Sequence, residues 1–142
     1  MADKTEDAIL EFFKGRESSL KLFRLLRRVI ERNCSPEIKV SKTQISFGEI
    51  YKYIWVWLPQ VWVANRPEGS LVLTIVTGGS LTSDRIVESV QPKKGYWTHH
   101  IIIENEKDID TQIEDLIKKS YDFYTERLDH KKQQRAKKKT RE

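Results

Sequence analysis

The apolar residues of this chain change their spacing twice, and that change limits the folds open to it. Over residues 6–33 they recur three and four positions apart; over residues 40–103 they alternate or run unbroken; from residue 109 the three-and-four spacing returns. Helix and strand periods sort side chains onto faces in incompatible ways, so each segment can bury its apolar set in only one conformation. The expected architecture is α+β: two N-terminal helices, an antiparallel sheet of four or five strands, one long C-terminal helix, and all helices on one face of the sheet.

The spacing also sets expected boundaries. Ala8, Ile9, Phe12 and Phe13 line a first short helix that Gly15 ends. Leu22, Phe23, Leu26, Val29 and Ile30 form the inner face of a second, from about Ser18 to Asn33. Val40 to Phe47 reads as one alternating strand, with Lys42, Gln44 and Ser46 on its polar side. Ile50 to Leu58 reads as the next, with Ile54, Val56 and Leu58 on one face and the aromatic row Tyr51, Tyr53, Trp55 and Trp57 on the other. Leu71 to Val76, Arg85 to Val90 and Tyr96 to Ile103 supply the remaining strands, with a turn over 92–95. Asp108 is the expected cap of the last helix, whose inner face carries Ile109, Ile113, Leu116, Ile117, Ser120 and Tyr124.

Charge divides the chain at residue 130. Residues 131–142 hold Lys131, Lys132, Arg135, Lys137, Lys138, Lys139 and Arg141 against Glu142, a net of +6. The other 130 residues hold 19 basic against 20 acidic side chains, a net of −1. The expected organisation is one domain over 1–130 and a basic, frayed or disordered tail over 131–142. The tail's charge suits a phosphate backbone and reads no sequence.

Other features narrow the class. One cysteine, Cys34, forms no internal disulfide and fits a reducing, cytoplasmic setting. The N-terminus is acidic where a signal peptide would be basic, and the longest apolar run, Tyr53 to Pro59, falls far short of a membrane helix of roughly 20 residues. No membrane partner is expected. Neither a P-loop nor a G-x-S-x-G nucleophile elbow is present, and no acid–base pair is assembled by spacing. Glu37-Ile38-Lys39 has the E-x-K form of a magnesium nuclease motif but lacks the preceding strand that would carry its second acid. The adjacent His99 and His100 point to opposite faces of a strand and cannot grip one metal together, so no metal or cofactor is expected.

The aromatic row is the most informative feature of the domain. Aromatics on an open sheet face can stack bases, hold a flat ligand or meet a second copy of the chain. Alternatively a loop over 59–70 or 77–84 covers them as a small second core.

Lys42-Thr43-Gln44-Ile45-Ser46-Phe47, Trp55-Val56-Trp57-Leu58-Pro59, Arg85-Ile86 ahead of Pro92, and His99-His100 together resemble an uncharacterised family of small prokaryotic domains. That family is loosely labelled "predicted transport protein", and some members are fused to restriction-endonuclease-like domains. The resemblance spans about residues 15–128. It implies an α+β fold, a pull toward nucleic-acid work, and Lys42, Gln44, Trp55, Trp57, Arg85 and His100 as the binding positions. The expectation is a non-enzymatic binding domain, associated non-specifically with nucleic acid through the tail and the aromatic face. The alternative is a small-ligand or homodimerisation domain with its pocket at Trp55 and Trp57.

Overall fold

Lys4–Phe12 forms a first helix, α1, and Glu17–Asn33 a second, α2, in a computed structural model that describes residues 4–34, 37–58 and 69–140, with side chains to residue 135. The 3.6-residue spacing buries Leu22, Phe23, Leu26 and Ile30 of α2 together with Ile9 and Phe13. Phe13, Phe23 and Phe47 then pack as tilted neighbours in sequence, linking the helices to the sheet.

The sheet has six strands rather than four or five: β1 (Ile38–Val40), β2 (Gln44–Phe47), β3 (Ile54–Trp57), β4 (Leu71–Thr77), β5 (Ile86–Lys93) and β6 (Tyr96–Ile103). Their spatial order is β1-β2-β3-β4-β6-β5, antiparallel throughout. The extra strand comes from the segment expected to be one strand over 40–47, which is a hairpin. Ser41 receives its turn bonds from the chain itself: its N–H and its hydroxyl both donate to Gln44 O. Those bonds need no glycine or proline, so alternation runs through the turn unbroken.

The second difference lies before β3. The chain reverses at Gly48, whose φ of 132° brings its backbone so close to Tyr51 that a Cβ would lie 2.0 Å from Tyr51 O. Strand geometry begins only at Ile54, so Tyr51 and Tyr53 escape the alternation of Trp55 and Trp57. The expected row of four is split. Tyr53 stacks on Tyr124 at 4.6 Å, and Tyr51 lies under Arg127 at 4.1 Å, both on the C-terminal helix.

That helix, α3, spans Thr111–Thr140. Asp110, not Asp108, caps it, accepting from the Ile113 N–H at 3.1 Å. Asp108 instead closes a single 3-10 turn, Glu106–Asp108, by accepting from the Glu104 and Asn105 N–H groups. Ile113, Leu116, Ile117, Ser120 and Tyr124 are buried as the spacing predicts. The first ten residues of the basic segment continue α3 as helix.

All three helices share one side of the sheet. Ile45, Phe47, Ile54, Val56, Leu71, Leu73, Ile75, Ile101 and Ile103 fall on one face by register and form a single cluster with the helix residues. β4 is central and buried at all seven positions, so its other face, with Val72, Thr74 and Val76, is covered as well. Residues 59–68, which include Trp62 and most of the first covering loop expected there, lie outside the described residues.

Candidate functional site

Register sets a transverse row across all six strands on the side away from the helices: Lys39, Ser46, Trp55, Thr74, His100 and Glu88. A second row beside it carries Gln44, Trp57, Val72 and Ile102. Trp55 and Trp57 are half-buried, and the Trp57 indole Nε1 is buried with no hydrogen-bond partner among the described residues. An indole N–H without a partner is uncommon in a packed region.

His100 Nδ1 lies 2.8 Å from Thr74 Oγ1 in this face. Burial lowers the imidazole's pKa, while the Glu88 carboxylate opposite it pulls the other way. His99 points to the helix side and is fully buried. Thr77 Oγ1 donates to Gly79 O, so it accepts from His99 Nε2–H at 2.8 Å, and Nδ1 accepts from Ser89 Oγ at 2.7 Å. Both ring nitrogens are thus taken by hydroxyls, and burial lowers the ring's pKa, which keeps it neutral. Among the described residues no three His, Cys, Asp or Glu side chains converge as metal ligands, and no helix is long and apolar enough to cross a membrane.

A second locus was not legible in the sequence. Arg127 of α3 lies over the rings of Tyr51 (4.1 Å), Tyr96 (5.2 Å) and Phe123 (5.6 Å), and Lys131 also reaches the Tyr51 ring at 5.2 Å. Tyr51, Glu126, Arg127, His130, Lys131 and Gln134 line a groove of about 430 Å3. Arg127, Lys131 and Arg135 are spaced four residues apart, one above another along the helix.

Of the positions suggested by sequence, the structure gathers Gln44, Trp55, Trp57 and His100 on one sheet face. Lys42 is exposed at the β1–β2 turn and lines a separate groove with Glu11, Phe12 and Val40. Arg85 is a tie between the β4–β5 connection and the start of α3: it donates to Asp110 Oδ2 at 2.9 Å and to Asp108 O at 2.7 Å. Lys131 is half-buried against Tyr51, Lys132 and Arg135 are exposed, Lys137, Lys138 and Lys139 lie on α3, and Arg141 is outside the described residues.

Residues 9–124 match the model of a domain of unknown function (DUF5655). The chain belongs to that family. The match begins inside α1, earlier than the expected residue 15, and stops before the basic end of α3. It supports an uncharacterised domain, and its description carries neither a transport role nor a nuclease partner. No curated protein and no solved structure matches the chain. What the family domain contributes is therefore the sheet, its helices and the two histidines, while the basic stripe begins where the family match ends.

Proposed function

We propose that this chain is a nucleic-acid-associated binding domain that engages phosphate backbones through the C-terminal end of α3. One observation carries the reading: the groove at Tyr51, Arg127 and Lys131 runs directly into the helical segment that holds the +6 charge. The groove supplies an aromatic ring and fixed cations, and the segment beyond it supplies the long-range attraction. The sheet face takes no part in this reading, because Val72, Thr74 and Val76 are covered and leave no open platform for bases.

The test is fluorescence anisotropy with duplex DNA and single-stranded RNA at low salt. Replacing Lys131, Lys132 and Arg135 together by Gln is expected to weaken binding about tenfold or more, uniformly across sequences. Trp57→Leu is expected to leave it unchanged. Absence of binding at low salt, or equal binding by the triple variant, refutes the reading.

The unpartnered Trp57 Nε1 beside Gln44 favours a second reading, a small ligand with a hydrogen-bond acceptor held on the sheet face. A tryptophan-fluorescence change on adding that ligand, lost in Trp57→Phe, would support it over the first.

A further inference from the structure

The last turns of α3 stand clear of the domain. Successive residues of a helix point in different directions around it, and Lys132, Gln133, Gln134 and Arg135 are all exposed. The helix nevertheless continues to Thr140, so residues 132–140 form a bare rod about 13 Å long and, with side chains, about 10–12 Å across. Its base is tied down. Arg127 lies over the rings of Tyr51, Tyr96 and Phe123, and Lys131 lies over Tyr51, which holds α3 against the segment before β3.

Charge on this end of the helix is of one sign and spread sideways. Residues 131–140 include no Asp or Glu. At about 100° per residue, Arg135 falls about 40° from Lys131, and Lys132 about 100° from it in the same direction. The three cations therefore fan over a quarter of the circumference rather than forming one line. Glu126 and Asp129, the last acidic residues before them, fall outside that arc. Lys132 and Arg135 form no ion pair or hydrogen bond among the described residues, so their charge is not spent within the domain.

Shape then decides between polyanions. A single strand presents one rail of phosphates, whereas a groove presents a rail on each side, and a fan of cations suits the second. The major groove of B-form DNA, about 12 Å wide, admits a helix, while the minor groove, about 6 Å wide, does not. The major groove of an A-form RNA duplex is too deep and narrow for side chains to read. Both duplexes carry phosphates on two strands, so charge alone would not separate them.

We propose, on the footing of the phosphate-backbone reading, that the bare end of α3 seats in the major groove of duplex DNA. Lys132 reaches the phosphates of one strand, and Lys131 and Arg135 those of the other. Contacts of this kind position the protein without reading bases, so affinity varies little with sequence.

The experiment is fluorescence anisotropy of the full chain at one low salt concentration, with probes of one length and sequence. They are duplex DNA, duplex RNA, single-stranded DNA, and duplex DNA whose major groove is filled by glucosylated hydroxymethylcytosine. The plain DNA duplex is expected to bind about tenfold more tightly than each of the others. Ala136→Pro separates helix from charge: it keeps every cation and lies far from the core, yet its ring clashes with the carbonyl four residues back and breaks the rod. It is expected to weaken binding to plain duplex DNA about tenfold with an unchanged thermal unfolding midpoint.

Equal binding of the plain duplex and any other probe, or full affinity in Ala136→Pro, overturns the groove docking and leaves the phosphate-backbone reading standing. Absence of binding to every probe overturns both.

Discussion

Ser120 holds α3 to β4 and to the residue just before β3 at once. Its hydroxyl is fully buried, lies 2.8 Å from both Tyr53 O and Val76 O, and accepts the Val76 N–H at 3.2 Å. Ser120→Val fills the space but removes the hydroxyl's bonds to these buried backbone groups, so a loss of about 1–3 kcal/mol is expected in urea unfolding with an unchanged m-value. His99 makes a different kind of prediction. Burial holds its folded pKa below the ordinary histidine value of 6.5, so under acid conditions the unfolded chain takes up a proton that the folded chain resists. Stability is therefore full above that value and falls as the pH drops from it toward the folded pKa. His100 is shifted the same way and adds to the slope. Urea midpoints measured from about pH 8 to about pH 5 are expected to decline, and less steeply in His99→Gln. An unchanged slope would contradict the buried neutral ring. Cys34 shows the same burial acting on a thiol, pushing its pKa up to about 11 and leaving little reactive thiolate at neutral pH.

Among the elements, β5 is the least protected. It lies at the sheet edge, eight residues long, with Val87 and Val90 exposed. Two register shifts in its ladder with β6, and Pro92 within the strand, make its free edge irregular, which discourages pairing with another chain. Pro92→Val restores a donor and a flatter edge, and light scattering is expected to show increased concentration-dependent association. No increase would mean the bulges alone suffice. Helices and the central strands were legible in sequence because their apolar spacing is local: α2, β4, β6 and the inner face of α3 follow it closely. The β1–β2 hairpin was not, because Ser41 turns the chain without glycine or proline. Tyr53 was misplaced because alternation says nothing about where a strand begins. The candidate face was half legible. Trp55, Trp57, Gln44 and His100 could be assigned to it by parity, but Thr74 and Glu88 join it only through register across other strands. Arg85 resembled a site residue and is spent on Asp110, 25 positions away. Tyr51 with Arg127, and Gly69 with Ser18, are contacts between distant segments that no spacing announces.

Taken whole, the molecule separates its charges from its core. The body is nearly neutral and holds its ion pairs locally, as in Arg24 with Glu6 and Arg32 with Glu114. The excess lies at one end of α3. Lys21 of α2 pairs with Glu106 just before α3 begins, and Lys131 lies 20 residues along that helix, on the order of 30 Å from its start. Binding to a nucleic acid through the stripe is expected to weaken steeply with salt, with a slope of up to about six released counterions.

The length of α3 has a consequence in helix–coil terms. Ten residues as basic as 131–140 are too few to hold a helix in water, where isolated helices shorter than about 12–15 residues are marginal and like charges four apart oppose it further. Here the nucleus already exists, because Ile113 through Tyr124 are fixed by the sheet. The basic turns need only propagate from it. The spacing of the positive charges is thus inherited from the hydrophobic core, and a polyanion laid along them, by cancelling their repulsion, would tighten the same helix that anchors the domain.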